Sequence, residues 1–213
     1  MTVKSLEAEL VVIGGGGAGL AAAISACENG CKSIIVLEKA GSATGSTGMA
    51  HDVFGAESPV QKRLGIDAPK DELFKVAMEW AHWTKINPRI VRAFIDKSGD
   101  TIGWLERMGL SFELIQYYPN QVPLVRHSVK GHGNALMKAL RDSCQNLGAE
   151  ILTRTAAKKL LRDSKGKISG VIAESREGEI AIKAGSVIIA IGYQHFIGFC
   201  SILFWSVAAC YRL

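Results

Sequence analysis

The sequence predicts an α/β fold, a Rossmann-like dinucleotide-binding domain with a parallel sheet. Three observations predict it. The apolar run Leu10-Val11-Val12-Ile13 ends in a stretch of glycines. A helix-forming run and a second apolar run, Ser33 to Leu37, follow within the length of one βαβ unit and close on Glu38. Near the end, Ser186 to Ile191 reads as another buried parallel strand. The bulk properties agree. A chain of 213 residues with 48% hydrophobic and 21% charged residues can bury a full core, which argues against disorder. The net charge of +5 comes without a block of like charges, so it implies no nucleic-acid footprint. The 23 glycines follow no G-X-Y period.

The N-terminal residues up to Glu9 carry two acids and no apolar stretch, so they do not read as a secretory signal. The first strand is Leu10 to Ile13. Gly14-Gly15-Gly16-Gly17-Ala18-Gly19 then contains G-x-G-x-x-G at Gly14, Gly16 and Gly19. Gly14 permits the tight turn, Gly16 lets a pyrophosphate approach the backbone, and Gly19 lets the helix pack closely on the sheet. The helix from Leu20 presents free N–H groups and a positive dipole end to the phosphates. Gly30 suits the position past its end. The second strand, Ser33 to Glu38, places an acid 19 residues after Gly19, where it can accept ribose hydroxyls. An acid there favours an unphosphorylated ribose, as in FAD or NAD. The loop from Gly41 to Ala50 is built of small and hydroxylated residues, which lets backbone amides reach a large planar ligand.

These stretches together resemble the FAD-binding part of the fumarate reductase/succinate dehydrogenase flavoprotein family. The opening segment Val12 to Ala22 carries the resemblance. So do Val36-Leu37-Glu38-Lys39 with Thr44-Gly45-Ser46-Thr47, Gly131-His132-Gly133, Thr155 to Leu161, Gly170-Val171 and Val187 to Gly192. It covers about residues 7 to 194. It implies a hydride-transferring flavoenzyme acting on a C=C or CH–CH bond of a carboxylate. It implies cofactor contacts at Gly14, Gly15, Gly16, Ala18, Gly19, Glu38, Lys39, Thr44, Gly45, Ser46, Thr47, Ala157, Ala190 and Gly192. Ala157 would lie near the adenine. In membrane-bound members a histidine just before a threonine carries the flavin covalently. Here Ser46 precedes Thr47 and His51 lies too far along, so the resemblance implies non-covalent FAD. The family's substrate-clamping and proton-delivery residues lie beyond the equivalent of residue 194, so no catalytic residue is assigned.

Between these segments, a helical excursion spans about residues 71 to 110. Asp71 is a candidate cap for a helix from Glu72. Pro88 suits the first turn of the next helix, and a separate one covers Asp100 to Arg107. Trp80, Trp83 and Trp104 read as packing anchors. Asn134 could cap a helix through Leu147, with His127 and His132 flanking its start in loop or packing roles. A three-stranded meander follows at about Lys158–Arg162, Ile168–Glu174 and Glu179–Lys183.

Residues 1–194 are thus expected to form the FAD-binding domain and 195–213 an atypical tail. Phe196 to Cys210 carries no charge and is shorter than the about 20 apolar residues of a spanning helix. A truncated or frame-shifted end is the preferred reading, with a partner chain or segment supplying the capping domain. A non-catalytic FAD module, an inactive product and a generic NAD-binding reductase are the alternatives. The five cysteines form no C-x-x-C pair, so no metal site is expected and a reducing cytoplasm is the simplest compartment.

Overall fold

The structure, a computed structural model, describes residues 4–84, 86–116 and 123–192. The expected tail at 195–213 lies outside the described residues. The chain divides into two compact units, one formed by Met1–Thr47 with Leu140–Leu213 and the other by Gly48–Ala139.

The first unit is built on β1 (Lys4–Ile13), α1 (Gly17–Glu28), β2 (Ile34–Leu37), β6 (Glu150–Leu152), β7 (Ala156–Arg162), β8 (Ile168–Ser175) and β9 (Gly178–Ile189). Its strands form one sheet in the order β6-β2-β1-β9-β8-β7. The pairs β1–β2, β2–β6 and β1–β9 are parallel, and β7–β8 and β8–β9 are antiparallel. Two expectations are corrected here. The first strand begins at Lys4, six residues before the apolar run, because Lys4 to Ala8 pair with Ile180 to Ala184 in the same register that joins Leu10–Ile13 to Ser186–Ile189. The third meander strand and the return strand are likewise one strand, β9. The expected burial up to Ile191 does not hold: Ile189, which ends the strand, is 44% exposed, and Ile191, two residues beyond it, is 68% exposed. Antiparallel pairing to β8 stops at Lys183, so the outer side of Ser186–Ile189 gains no cover from that strand.

Burial follows pairing. In β1, exposed and covered residues alternate up to Glu9, and Leu10, Val11 and Val12 are then buried together. One core cluster draws Ala8 and Val11 from β1, Ile35 and Leu37 from β2, Val171 and Ala173 from β8, and Ile180, Ile182 and Ala184 from β9. The parallel and antiparallel halves of the sheet thus share one core cluster. Helix α1 lies against β1 and β2.

The second unit holds β3 (Asp52–Phe54), α2 (Pro59–Arg63), α3 (Lys70–Trp80), α4 (Pro88–Arg107), β4 (Phe112–Ile115) and β5 (Arg126–Val129). Its three strands form a small antiparallel sheet, β3-β5-β4, which the sequence reading does not contain. Helix α4 is continuous where two helices were expected. Asp71 does not cap α3; Pro69 occupies the N-cap position without a side-chain bond, and Asp71 sits in the first turn paired with Arg92. Trp80 and Trp83 are 75% and 58% exposed, so neither is a core anchor, although Trp83 meets Phe74 edge-on. Ala56, Ala68, Leu73, Met78, Val91 and Ile95 form one core cluster of this unit. Helix α5 (His132–Asn146) starts two residues before Asn134, which therefore lies inside its first turn and does not cap it.

Candidate functional site

The chain leaves β1 through Gly14, whose N–H donates to the Leu37 carbonyl at 2.8 Å. Gly14 has φ +107°, and a Cβ there would stand 2.5 Å from the Ala190 carbonyl oxygen. Ala190 is held in place by its own N–H, which donates to the Ile13 carbonyl at 2.8 Å. A Cβ on Gly19 would overlap the Gly14 carbonyl oxygen. Backbone packing thus demands both of these glycines. Gly16 differs. Its φ of −76° suits any residue, and a Cβ there would find only the Gly45 Cα, at 4.0 Å. Neither strain nor internal packing calls for glycine at 16.

The N-terminus of α1 opens at this point. The first N–H to reach an intrahelical carbonyl is that of Leu20, on Gly16 at 3.0 Å. The amides of Ala18 and Gly19 precede it and belong to the group that a helix start leaves open. The Gly17 N–H donates to Thr47 Oγ1 at 3.2 Å.

Glu38 stands beside this turn. Its Oε2 accepts from the Gly15 N–H at 2.8 Å and its Oε1 from the Ala40 N–H at 2.7 Å. Two hydrogen bonds leave a carboxylate with lone-pair sites for further donors. The strand end is pinned from the β6 side. Glu38 N–H donates to Leu152, Thr155 N–H to Glu38 and Arg154 N–H to Ala40, all at 2.8–2.9 Å.

The loop from Gly41 to Thr47 runs along the glycine turn. Ala43 is buried, and a Cβ on Gly15 would lie 2.9 Å from its Cβ. Gly45, at φ +58°, comes so close that a Cβ there would stand 3.2 Å from Gly16 Cα. Arg141 of α5 donates from Nη1 to the Ala43 carbonyl at 2.8 Å. The Ser42 and Thr44 hydroxyls share a hydrogen bond of 3.2 Å.

The structure therefore brings Gly14, Gly15, Gly16, Ala18, Gly19, Glu38, Gly45, Thr47 and Ala190 to one place, with Thr44 in the flanking loop. Lys39 and Ser46 are exposed near it. Gly192 is exposed with open space around it. Ala157 is the second residue of β7, packed on the sheet core two residues past Thr155. Sequence reasoning left out Ala43 and gave Arg141 no role. No local pattern marks a contact between residues 98 positions apart.

His127 is fully buried in the second unit, with Nε2 2.7 Å from Ser58 Oγ. His132 is exposed and meets His51 edge-on with ring centroids 5.1 Å apart. Burial pushes the thiols of Cys27 and Cys31 up and that of Cys144 up to about 11, which keeps them protonated at neutral pH. Among the described residues no cluster of three His, Cys, Asp or Glu could hold a metal ion, and no helix is long and apolar enough to cross a membrane.

A family model described as "FAD binding domain" matches residues 9–202. A vinyl phenol reductase of Lactiplantibacillus plantarum is 32% identical over 188 residues, covering 86% of this chain and 37% of that protein. An NADH:fumarate oxidoreductase of Klebsiella pneumoniae is 29% identical over 189 residues, covering 86% and 20% respectively. The chain thus spans well under half the length of these relatives. Among solved structures, the open conformation of a flavocytochrome c3 fumarate reductase superposes with a TM-score of 0.77 at 21% identity. The match covers 87% of this chain and 34% of that one, and it speaks to the fold alone.

Proposed function

The chain belongs to the FAD binding domain family, and from that premise we propose that it is the non-covalent FAD-holding portion of a reductase acting on a carbon–carbon double bond conjugated to a carboxylate or an aryl group. The observation that carries the FAD reading is Gly16. It is the one glycine of the three whose missing Cβ is explained by neither strain nor packing, and it is the N-cap of α1, next to Gly15, whose N–H donates to the Glu38 carboxylate.

The fit to FAD follows from the residues. The open amides of Ala18 and Gly19 suit the pyrophosphate, aided by the helix dipole. Glu38 suits the adenosine ribose: its oxygens already hold two amides and accept further donors. Its negative charge repels a 2′-phosphate. The backbone and hydroxyls of Thr44, Gly45, Ser46 and Thr47 suit the flavin side, with Ala190 and Gly192 on the facing segment and Ala157 toward the adenine. Lys39 neighbours the ribose acid in sequence. When bound, FAD supplies the hydride chemistry, and the protein supplies binding and orientation. Ser46 stands where a flavin-carrying histidine would be needed for covalent attachment, which supports a dissociable cofactor. A further chain or segment would supply a substrate cap, in keeping with the greater length of the relatives. Cys27, Cys31 and Cys144 are free thiols among the described residues, which suits a reducing, cytoplasmic setting.

The test is the absorbance spectrum of the purified protein after FAD addition and desalting, followed by acid precipitation. Retention of about one flavin, released to the supernatant by acid, is expected for a single non-covalent site. Flavin that stays with the pellet overturns the non-covalent reading. A folded sample that retains none overturns the FAD reading.

A further inference from the structure

We propose that Arg141 is a positioning residue for the cofactor cradle: its guanidinium holds the Ala43 carbonyl and so sets the loop Gly41–Thr47 against the phosphate turn. The inference rests on the reading of that turn as a FAD site. The loop is small-residued throughout and contains two glycines, so ordering it carries a high entropic cost. Its two ends are tied by backbone and hydroxyl contacts, Arg154 N–H to Ala40 and Gly17 N–H to Thr47 Oγ1. Its middle is tied from outside the loop by Arg141, at 2.8 Å and partly buried. What that tie holds in place is specific. Ala43 fills the space against Gly15, and Gly45 comes up to Gly16. Both glycines belong to the turn that receives the cofactor, and Thr47 reaches the first amide of α1. Releasing the Ala43 carbonyl would free this segment while leaving the strands of the sheet as they are. Arg141 touches neither the glycine turn nor Glu38 in the described hydrogen bonds, so it acts through the loop.

The experiment compares cofactor-free wild type, Arg141→Lys and Arg141→Met. FAD affinity is read by flavin fluorescence and local order by amide hydrogen exchange. A hydrogen bond from a charged donor predicts a Kd for FAD raised about tenfold or more in Arg141→Met. Lysine keeps a donor but loses the planar fork, so Arg141→Lys should fall between the two. Exchange should quicken at Ala43 to Thr47 in Arg141→Met, while β1 and β2 stay as protected as in wild type. Wild-type affinity in Arg141→Met overturns the positioning role and leaves the FAD site standing. So does weaker binding accompanied by loss of protection across the sheet and no recovery with lysine, because that is a general structural role. A wild-type chain that binds no FAD overturns both readings together. If Arg141→Met does not fold, Arg141→Lys decides. Weakened FAD binding with exchange raised only in the loop supports the proposal, and unchanged affinity overturns it.

Discussion

Gly16 and Gly19 stand three residues apart and should fail in opposite ways. A side chain on Gly19 meets the Gly14 carbonyl, a backbone atom that cannot swing aside. Gly19→Ala is therefore expected to cost about 3 kcal/mol of stability, the upper range for overpacking, in urea unfolding. A side chain on Gly16 meets open space at an ordinary φ. Gly16→Val replaces the N-cap glycine of α1 at an unstrained φ, so it should cost the cofactor-free protein about 1 kcal/mol, well below Gly19→Ala, and still abolish flavin retention. Equal destabilisation by the two would contradict the distinction. Glu38→Ala removes the acceptor of two amides, each bond to a charged acceptor being worth about 1.5–3 kcal/mol. Because Glu38 is only half-buried and water can replace it, the lower figure applies to stability, with a larger effect on FAD affinity. The glycines and this acid are legible in the sequence because their geometry is local, a turn between two strand ends. Ala43 and Arg141 are not, because their contact joins the Gly41–Thr47 loop to a residue of α5 that lies 98 positions later, beyond the whole second unit.

Helix α4 shows how an element can be misread for a physical reason. Ser98-Gly99-Asp100 looks like a break, yet the helix runs through it. A Cβ on Gly99 would overlap the Ala56 carbonyl oxygen, and Ser98 Oγ accepts from the Ala56 N–H at 3.0 Å. Both residues are there to let another segment approach the helix. Gly99→Ala should thus destabilise the protein, against the roughly 1 kcal/mol that alanine gains over glycine in a free helix. A rise in the urea midpoint would refute that. The same unit carries a pH-sensitive node on β5. His127 Nδ1 lies 3.2 Å from the Val125 carbonyl, so that nitrogen bears the proton and Nε2 accepts from the Ser58 hydroxyl. Burial holds its pKa below the usual histidine value of 6.5, and outweighs the carboxylates of Glu106 and Asp52, which act the other way. The unfolded chain then binds the proton more readily than the folded one. This contribution to stability is complete above the unfolded pKa and is lost as pH falls through 6.5 toward the lowered folded value. Urea midpoints at pH 8 and pH 5.5 should differ in wild type and differ less in His127→Gln. Elements with strong periodicity were readable, whereas β3, a three-residue strand, had too little length for a pattern.

At the scale of the molecule, the cofactor unit is assembled from sequence segments that lie far apart. Lys4 pairs with Ile180 across nearly the whole described chain, and α5, β6 and the meander must return before β1 has its second neighbour. Apolar runs identify β1, β2 and the end of β9 as strands, but no local signal states which of them are neighbours. The joining of β9 to the meander was hidden for the same reason. The glycine turn exists only after that closure. Gly14 needs the Leu37 carbonyl from β2 and the Ala190 backbone from the end of β9, and Glu38 is fixed by Thr155 beyond β6. FAD should then bind the closed unit and have no site on the open chain, so its binding and the closure are linked. At free FAD of 100 times Kd, the linkage is worth about 2.7 kcal/mol. For a protein of this size that predicts a midpoint raised by about 5–10 °C. Thermal unfolding followed by circular dichroism across an FAD series measures it. The midpoint should climb with the logarithm of free FAD in wild type and stay flat in Gly16→Val, whose closure is intact but whose turn is filled. A flat wild-type midpoint, at concentrations where flavin fluorescence shows the site saturated, would mean that the turn forms without β9, and that the long-range pairing is not what builds the site.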